Sequence, residues 1–163
     1  MRLADHPQHL LSPRRVTVIV EQPRDEPRRL RFDPADDTFH PTTDRSLLFV
    51  RGFSGVYGWI AGSGAPPGPH WDVLLCTRLN LPAGDTADAE LCGVFIRGDG
   101  DHKFVALGRD LADAGVVADF EQFPEDLGRE LKLLYPSVDP GEGWLGAVYA
   151  RALVQTAPTS RSA

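Results

Sequence analysis

The sequence predicts an α+β domain that is mainly β: a small closed β-barrel with helices packed on its outside. Three observations point there. Short β-branched or alternating runs recur between residues 16 and 107, at lengths that suit strands. Glycine and proline, 16 and 14 of the 163 residues, punctuate those runs and keep them from continuing as helix. Helical periodicity shows only after residue 124, so strands come first and helices cover them.

Residues 1–13 are polar and read as a flexible segment ahead of a domain spanning 14–154. Residues 16–21 are β-branched and stop before Pro23. Residues 28–32 alternate charged with apolar, as a half-buried strand does. Residues 46–50 and 57–61 read as further short strands. Residues 62–69 are largely glycine and proline, which suits neither helix nor central strand, so they form a loop. Residues 71–79 are the clearest buried strand. Residues 91–96 and 103–107 flank Arg97-Gly98-Asp99-Gly100, whose glycines permit a tight hairpin. Pro124, Glu125 and Asp126 then open a helix. Leu127, Leu131 and Leu134 give it one apolar stripe, and Pro136 ends it. Residues 145–154 read as a second helix, and 155–163 as a disordered tail.

A chain of this length makes one domain and needs no disulfide staples. The net charge of −6 comes without a basic stripe, so no nucleic-acid partner is expected, although a local arginine cluster can still hold an anion. Cys76 and Cys92 lie inside apolar runs and read as buried, reduced thiols. Neither has the spacing of a zinc site. Residues 1–13 lack the apolar core of a signal peptide, and no apolar stretch reaches membrane-spanning length. A soluble, cytoplasmic protein with no membrane partner is expected.

Chemistry gathers where single charges end apolar strands: Asp72 before Val73-Leu74-Leu75, and Asp101 and Lys103 before Phe104-Val105. Such charges suggest a polar, ion-holding mouth on the barrel. Their order carries a resemblance. Glu21-Gln22-Pro23 ends the first strand, and Arg29 and Arg31 follow two apart on the next. Asp44-Arg45 precedes Val56-Tyr57-Gly58-Trp59-Ile60. Asp72 follows at fixed spacing, then Asp101 and Lys103, and finally Tyr135, Gly141 and Trp144. This series, over roughly residues 16–150, resembles the soluble inorganic pyrophosphatases of family I.

The resemblance implies an OB-like barrel and Mg²⁺-dependent hydrolysis of diphosphate to two phosphates, with Mn²⁺ as a second candidate ion. It implies pyrophosphate or another small phosphate anion as ligand, and a homo-oligomer. Carried over by motif, Arg29, Arg45, Tyr57, Lys103 and Tyr135 would contact substrate, while Asp72, Asp101, Asp99 and Glu21 would hold metal. No catalytic residue is assigned. The family signature Asp-Gly-Asp-Pro-x-Asp places its first two aspartates at Pro67 and Pro69, and a later lysine at Pro136. Phosphoryl transfer depends on positioning and on neutralisation by metal ions and cations. A multi-ion Mg²⁺ site needs several converging oxygens, and proline supplies none. Activity is therefore expected to be weakened or lost. The alternatives are a non-catalytic anion-binding or structural subunit, and a phosphatase acting on another phosphorylated compound. Asp101 and Lys103 read equally well as an exposed ion pair. His70, alone on the loop, reads as uninvolved.

Overall fold

The computed structural model describes residues 1–136 and 139–158. In chain order the strands are β1 (Arg15–Gln22), β2 (Arg28–Asp33), β3 (Thr38–Arg45), β4 (Val56–Ile60), β5 (Asp72–Cys76), β6 (Thr86–Ile96), β7 (Lys103–Gly108) and β8 (Gly143–Gly146). The helices are α1 (Leu47–Arg51), α2 (Arg109–Asp113), α3 (Glu125–Leu134) and α4 (Ala147–Leu153). Strands run in the order β1-β4-β5-β7-β6, and a further β1–β6 pairing closes them into a five-stranded barrel. β8 adds to the outer side of β6, and β2–β3 form a separate two-stranded sheet.

Alternation along each strand decides what faces in. Val18 and Val20, Val56, Val73 and Leu75, Leu91 and Val94, and Phe104 and Ala106 come from all five strands and pack as one cluster filling the barrel. Their neighbours in sequence therefore stand on the outer wall. There Leu74, Cys76, Val105 and Leu107 pack against Leu127, Leu131 and Leu134 of α3 and Leu111 of α2. The leucine stripe read from the sequence is thus the face that α3 buries. Cys76 and Cys92 are buried free thiols, as expected.

The β2–β3 hairpin leans on the barrel through Phe32 and Phe39, whose rings lie 5.2 and 6.0 Å from that of Trp59. The side-chain amide of Gln22 extends the contact. It donates to the Arg28 carbonyl (3.0 Å) and accepts from the Leu30 N–H (2.8 Å).

Several expected boundaries change. Residues 46–50 were expected as a strand, but they are α1. The Ser46 hydroxyl accepts from the Phe49 N–H at its start, and Gly52 closes it at φ 69°. The strand expected over 71–79 stops at Cys76, because Thr77 and the Arg78 N–H turn aside to bond Asp110 (both 2.8 Å). β6 begins earlier than expected, at Thr86. β3 has no sequence signature, since most of it is exposed and it contains Pro41. Residues 143–146 pair with β6, so the last helix starts at Ala147. At the N-terminus the Leu3 N–H donates to Asp37 (2.9 Å). Of the tail expected over 155–163, residues 159–163 lie outside the described residues. Among the described residues, no helix is long and apolar enough to cross a membrane.

Candidate functional site

The inward turn of Val20, Val56, Val73 and Phe104 sends their neighbours Glu21, Tyr57, Asp72 and Lys103 outward on four adjacent strands. The register brings them into a row: Gln22 lies across from Tyr57, Trp59 across from Asp72, and Asp72 across from Lys103 on the parallel β5–β7 pair. Arg29 and Arg45 reach over from the hairpin, and Arg97, Asp101 and Tyr135 come from the far side. Together they line a cleft of about 250 Å³. Sites for drug-sized ligands occupy roughly 300–1,000 Å³, so this cleft suits a small ion. The polar site therefore lies on the barrel's outer wall instead of at its mouth.

Asp72 is the centre of a buried charge chain. One oxygen accepts from Lys103 Nζ and the other from His70 Nε2, both at 2.7 Å. The other His70 nitrogen, Nδ1, meets the Gly68 carbonyl at 2.7 Å. Carbonyls and carboxylates only accept, so both ring nitrogens carry protons and the imidazole is a cation. Burial alone would push Asp72 up, but the bonds from His70 and the charge of Lys103 outweigh it and hold the carboxyl far below its usual range. Burial likewise opposes charge on His70, yet Asp72 raises its pKa.

Lys103 spends its three protons within the chain. They go to Asp72, to Asp101 Oδ1 (3.0 Å) and toward the Tyr57 hydroxyl (3.5 Å). Burial disfavours its charge, but Asp72 more than compensates and its pKa is raised. Arg97 pairs with Asp99 (3.3 Å) and Asp101 (3.6 Å) and lies 6.0 Å from the centre of the Tyr135 ring. Glu21 differs: burial, helped by repulsion from Asp72, pushes its carboxyl up to about 7. Burial also keeps the Tyr57 and Tyr135 hydroxyls protonated, and the Tyr57 hydroxyl is hydrogen-bonded to Asp72.

Eight of the nine residues carried over by motif line this cleft: Glu21, Arg29, Arg45, Tyr57, Asp72, Asp101, Lys103 and Tyr135. Asp99 lies on a neighbouring cleft that shares Arg97 and Tyr135. Sequence reasoning missed Arg97 and His70. Arg97 ends an apolar strand, the same signal that picked out Asp72 and Lys103. His70 had no signal beyond its place two residues before Asp72. The proline-rich loop contributes no wall to the cleft; Pro66 and Pro67 line a separate groove with Arg31 and Phe32.

The donor set does not fit a cluster of divalent ions. Both oxygens of Asp72 face cations, and Asp101 sits between Lys103 and Arg97. Among the described residues, the group of three carboxylate or imidazole ligands close enough to share an ion is Asp33, Asp36 and His40. It lies on the partly to fully exposed hairpin surface, away from the cleft wall. Arg29 and Arg45, by contrast, have no carboxylate within ion-pair distance among the described residues. The arrangement is suited to holding an anion.

No protein-family profile matches the chain. A curated relative, the inorganic pyrophosphatase of Sulfolobus acidocaldarius, is 25% identical over 159 residues, covering 90% of this chain and 91% of that protein. The solved inorganic pyrophosphatase from Ehrlichia chaffeensis superposes with a TM-score of 0.72 at 23% identity, covering 93% of this chain and 97% of that one. The corresponding enzyme from Thermus thermophilus gives 0.73 at 18% identity, covering 96% and 97%. The chain thus has the fold of the inorganic pyrophosphatases and resembles them along nearly its whole length.

Proposed function

We propose that this chain is an inorganic pyrophosphatase-like protein whose cleft binds pyrophosphate or another small phosphate anion, with Mg²⁺-dependent hydrolysis of diphosphate weakened or lost. Kinship supports the ligand class. One observation carries the loss: Asp72, the one signature aspartate retained, is closed on both oxygens by His70 and Lys103. An ion seeking Asp72 must displace one of two buried basic groups, and among the described residues no group of three carboxylate or imidazole ligands close enough to share an ion includes it. The arginines do fit an anion, since guanidinium groups bind phosphate oxygens in pairs and the Tyr135 hydroxyl lies on the same lining. The alternative of a phosphatase for another phosphorylated compound shares this cleft and is separated by a substrate panel.

The test is phosphate release from pyrophosphate with Mg²⁺ and with Mn²⁺. The expected result is little or no turnover, while pyrophosphate raises the melting temperature by binding the folded state. Turnover at the level of the similar enzymes would overturn the loss of activity. The protein is further proposed to be cytoplasmic and to assemble with itself. The exposed Val148 and Tyr149 of α4 offer apolar contact surface, and light scattering reads the assembly.

A further inference from the structure

Resting on the anion-site reading above, we infer that the cleft takes its phosphate-type anion without a divalent cation, directly on the guanidinium groups of Arg29 and Arg45. In a metal-dependent site the carboxylates are the excess charge, and ions bridge them to the ligand. Here the balance is reversed. Asp72 lies between His70 and Lys103, and Asp101 between Lys103 and Arg97, with Asp99 also on Arg97. Each of these three acids is thus already paired with a basic side chain of the chain itself. A divalent ion entering this row would meet two cations beside Asp72 and two beside Asp101.

Beyond that paired row stand Arg29, Arg45 and Glu21. Glu21 is buried on the cleft wall, and at formal charge the lining sets four cations, Arg29, Arg45, Arg97 and Lys103, against its carboxylate and those of Asp72 and Asp101. The two arginines therefore leave the cleft net positive. They are also well placed to act together. Arg28 pairs with Arg45 across the β2–β3 hairpin, the register shifts between Arg28 and Leu30, and Arg29 at that irregularity lines the same cleft as Arg45. Their forked donors match the several oxygens of a phosphate or diphosphate. Tyr135 lines the same cleft and adds a hydroxyl donor.

The experiment is calorimetric titration of the full chain with methylenediphosphonate, a diphosphate mimic that cannot be hydrolysed, in EDTA and again in excess Mg²⁺. Binding in EDTA at least as tight as in Mg²⁺ is expected. Arg29→Gln and Arg45→Gln should each weaken it by about tenfold or more, the usual scale of a charge-assisted contact. Arg129→Gln, on the exposed surface of α3, should leave it unchanged. Melting curves confirm that each variant is folded, and the EDTA arm needs no variant. Binding seen only with Mg²⁺ would overturn metal-free capture while leaving the anion site standing. No binding in either buffer would overturn both. Full affinity in the two arginine variants would overturn their assignment.

Discussion

Replacing Lys103 by methionine tests whether the buried charge chain is closed as described. Methionine keeps much of the apolar stem and deletes the ammonium. Lys103 is 6% exposed and Asp72 5%, so water cannot readily take the place of the lost donor. Asp101 is more exposed and keeps Arg97. The cost therefore falls on Asp72, left with His70 and the Tyr57 hydroxyl. Removing one partner of a buried pair costs about 3–5 kcal/mol, and the surviving His70 bond places this variant near the lower end. For a chain of this size that is roughly 6–12 °C in melting temperature. Urea unfolding followed by tryptophan fluorescence measures it. Asp72→Leu added to Lys103→Met should cost much less than the two single changes summed, because the second change removes the stranded charge. A single-variant loss below about 1 kcal/mol, or strict additivity, would refute the reasoning, since a buried carboxylate stripped of its ammonium partner must be costly.

Two further outcomes follow from the same geometry. The folded Glu21 carboxyl is raised from its ordinary 4.5 to about 7, so folding favours its protonated form. Stability should fall as pH rises from the lower to the higher of these values, by about 3 kcal/mol from this group. Glu21→Gln should remove that part of the slope, and parallel urea midpoints for wild type and variant across this range would contradict it. Gly58→Ala would drive a methyl group into the Ile19 carbonyl oxygen of the paired strand, a backbone atom that cannot swing aside. A loss of about 1–3 kcal/mol or more is expected, and an unchanged urea midpoint would show that β1 and β4 tolerate separation.

What the sequence made legible was whatever leaves a local mark. The barrel followed from short β-branched runs and from the late onset of the leucine stripe on α3. Motif order picked out eight residues that line one cleft, while Asp101 and Lys103 also form the ion pair that their spacing allowed. The errors share a physical cause. Residues 46–50 are apolar enough for a strand, and only the Ser46 cap and the left-handed Gly52 make them a helix. β3 escaped notice because most of it is exposed and pairs with one strand only, which demands no apolar alternation. Asp110 ends β5 from across the fold, a contact that no local window contains. His70 was hidden for the same reason: its role depends on the carboxylate and carbonyl that the loop folds around it.

The β2–β3 hairpin shares no backbone ladder with the barrel, and yet it carries Arg29 and Arg45, two of the three arginines lining the cleft. The carboxylates and Lys103 ride on the barrel itself. The cavity is thus a jaw with halves of unequal stiffness: one is part of a closed ring, and the other is a flap propped by three aromatic rings and one glutamine amide. An anion gripped by both would latch flap to ring. Conversely, thinning the aromatic prop at Phe39 would shift the guanidinium groups without removing a single charge from the cavity.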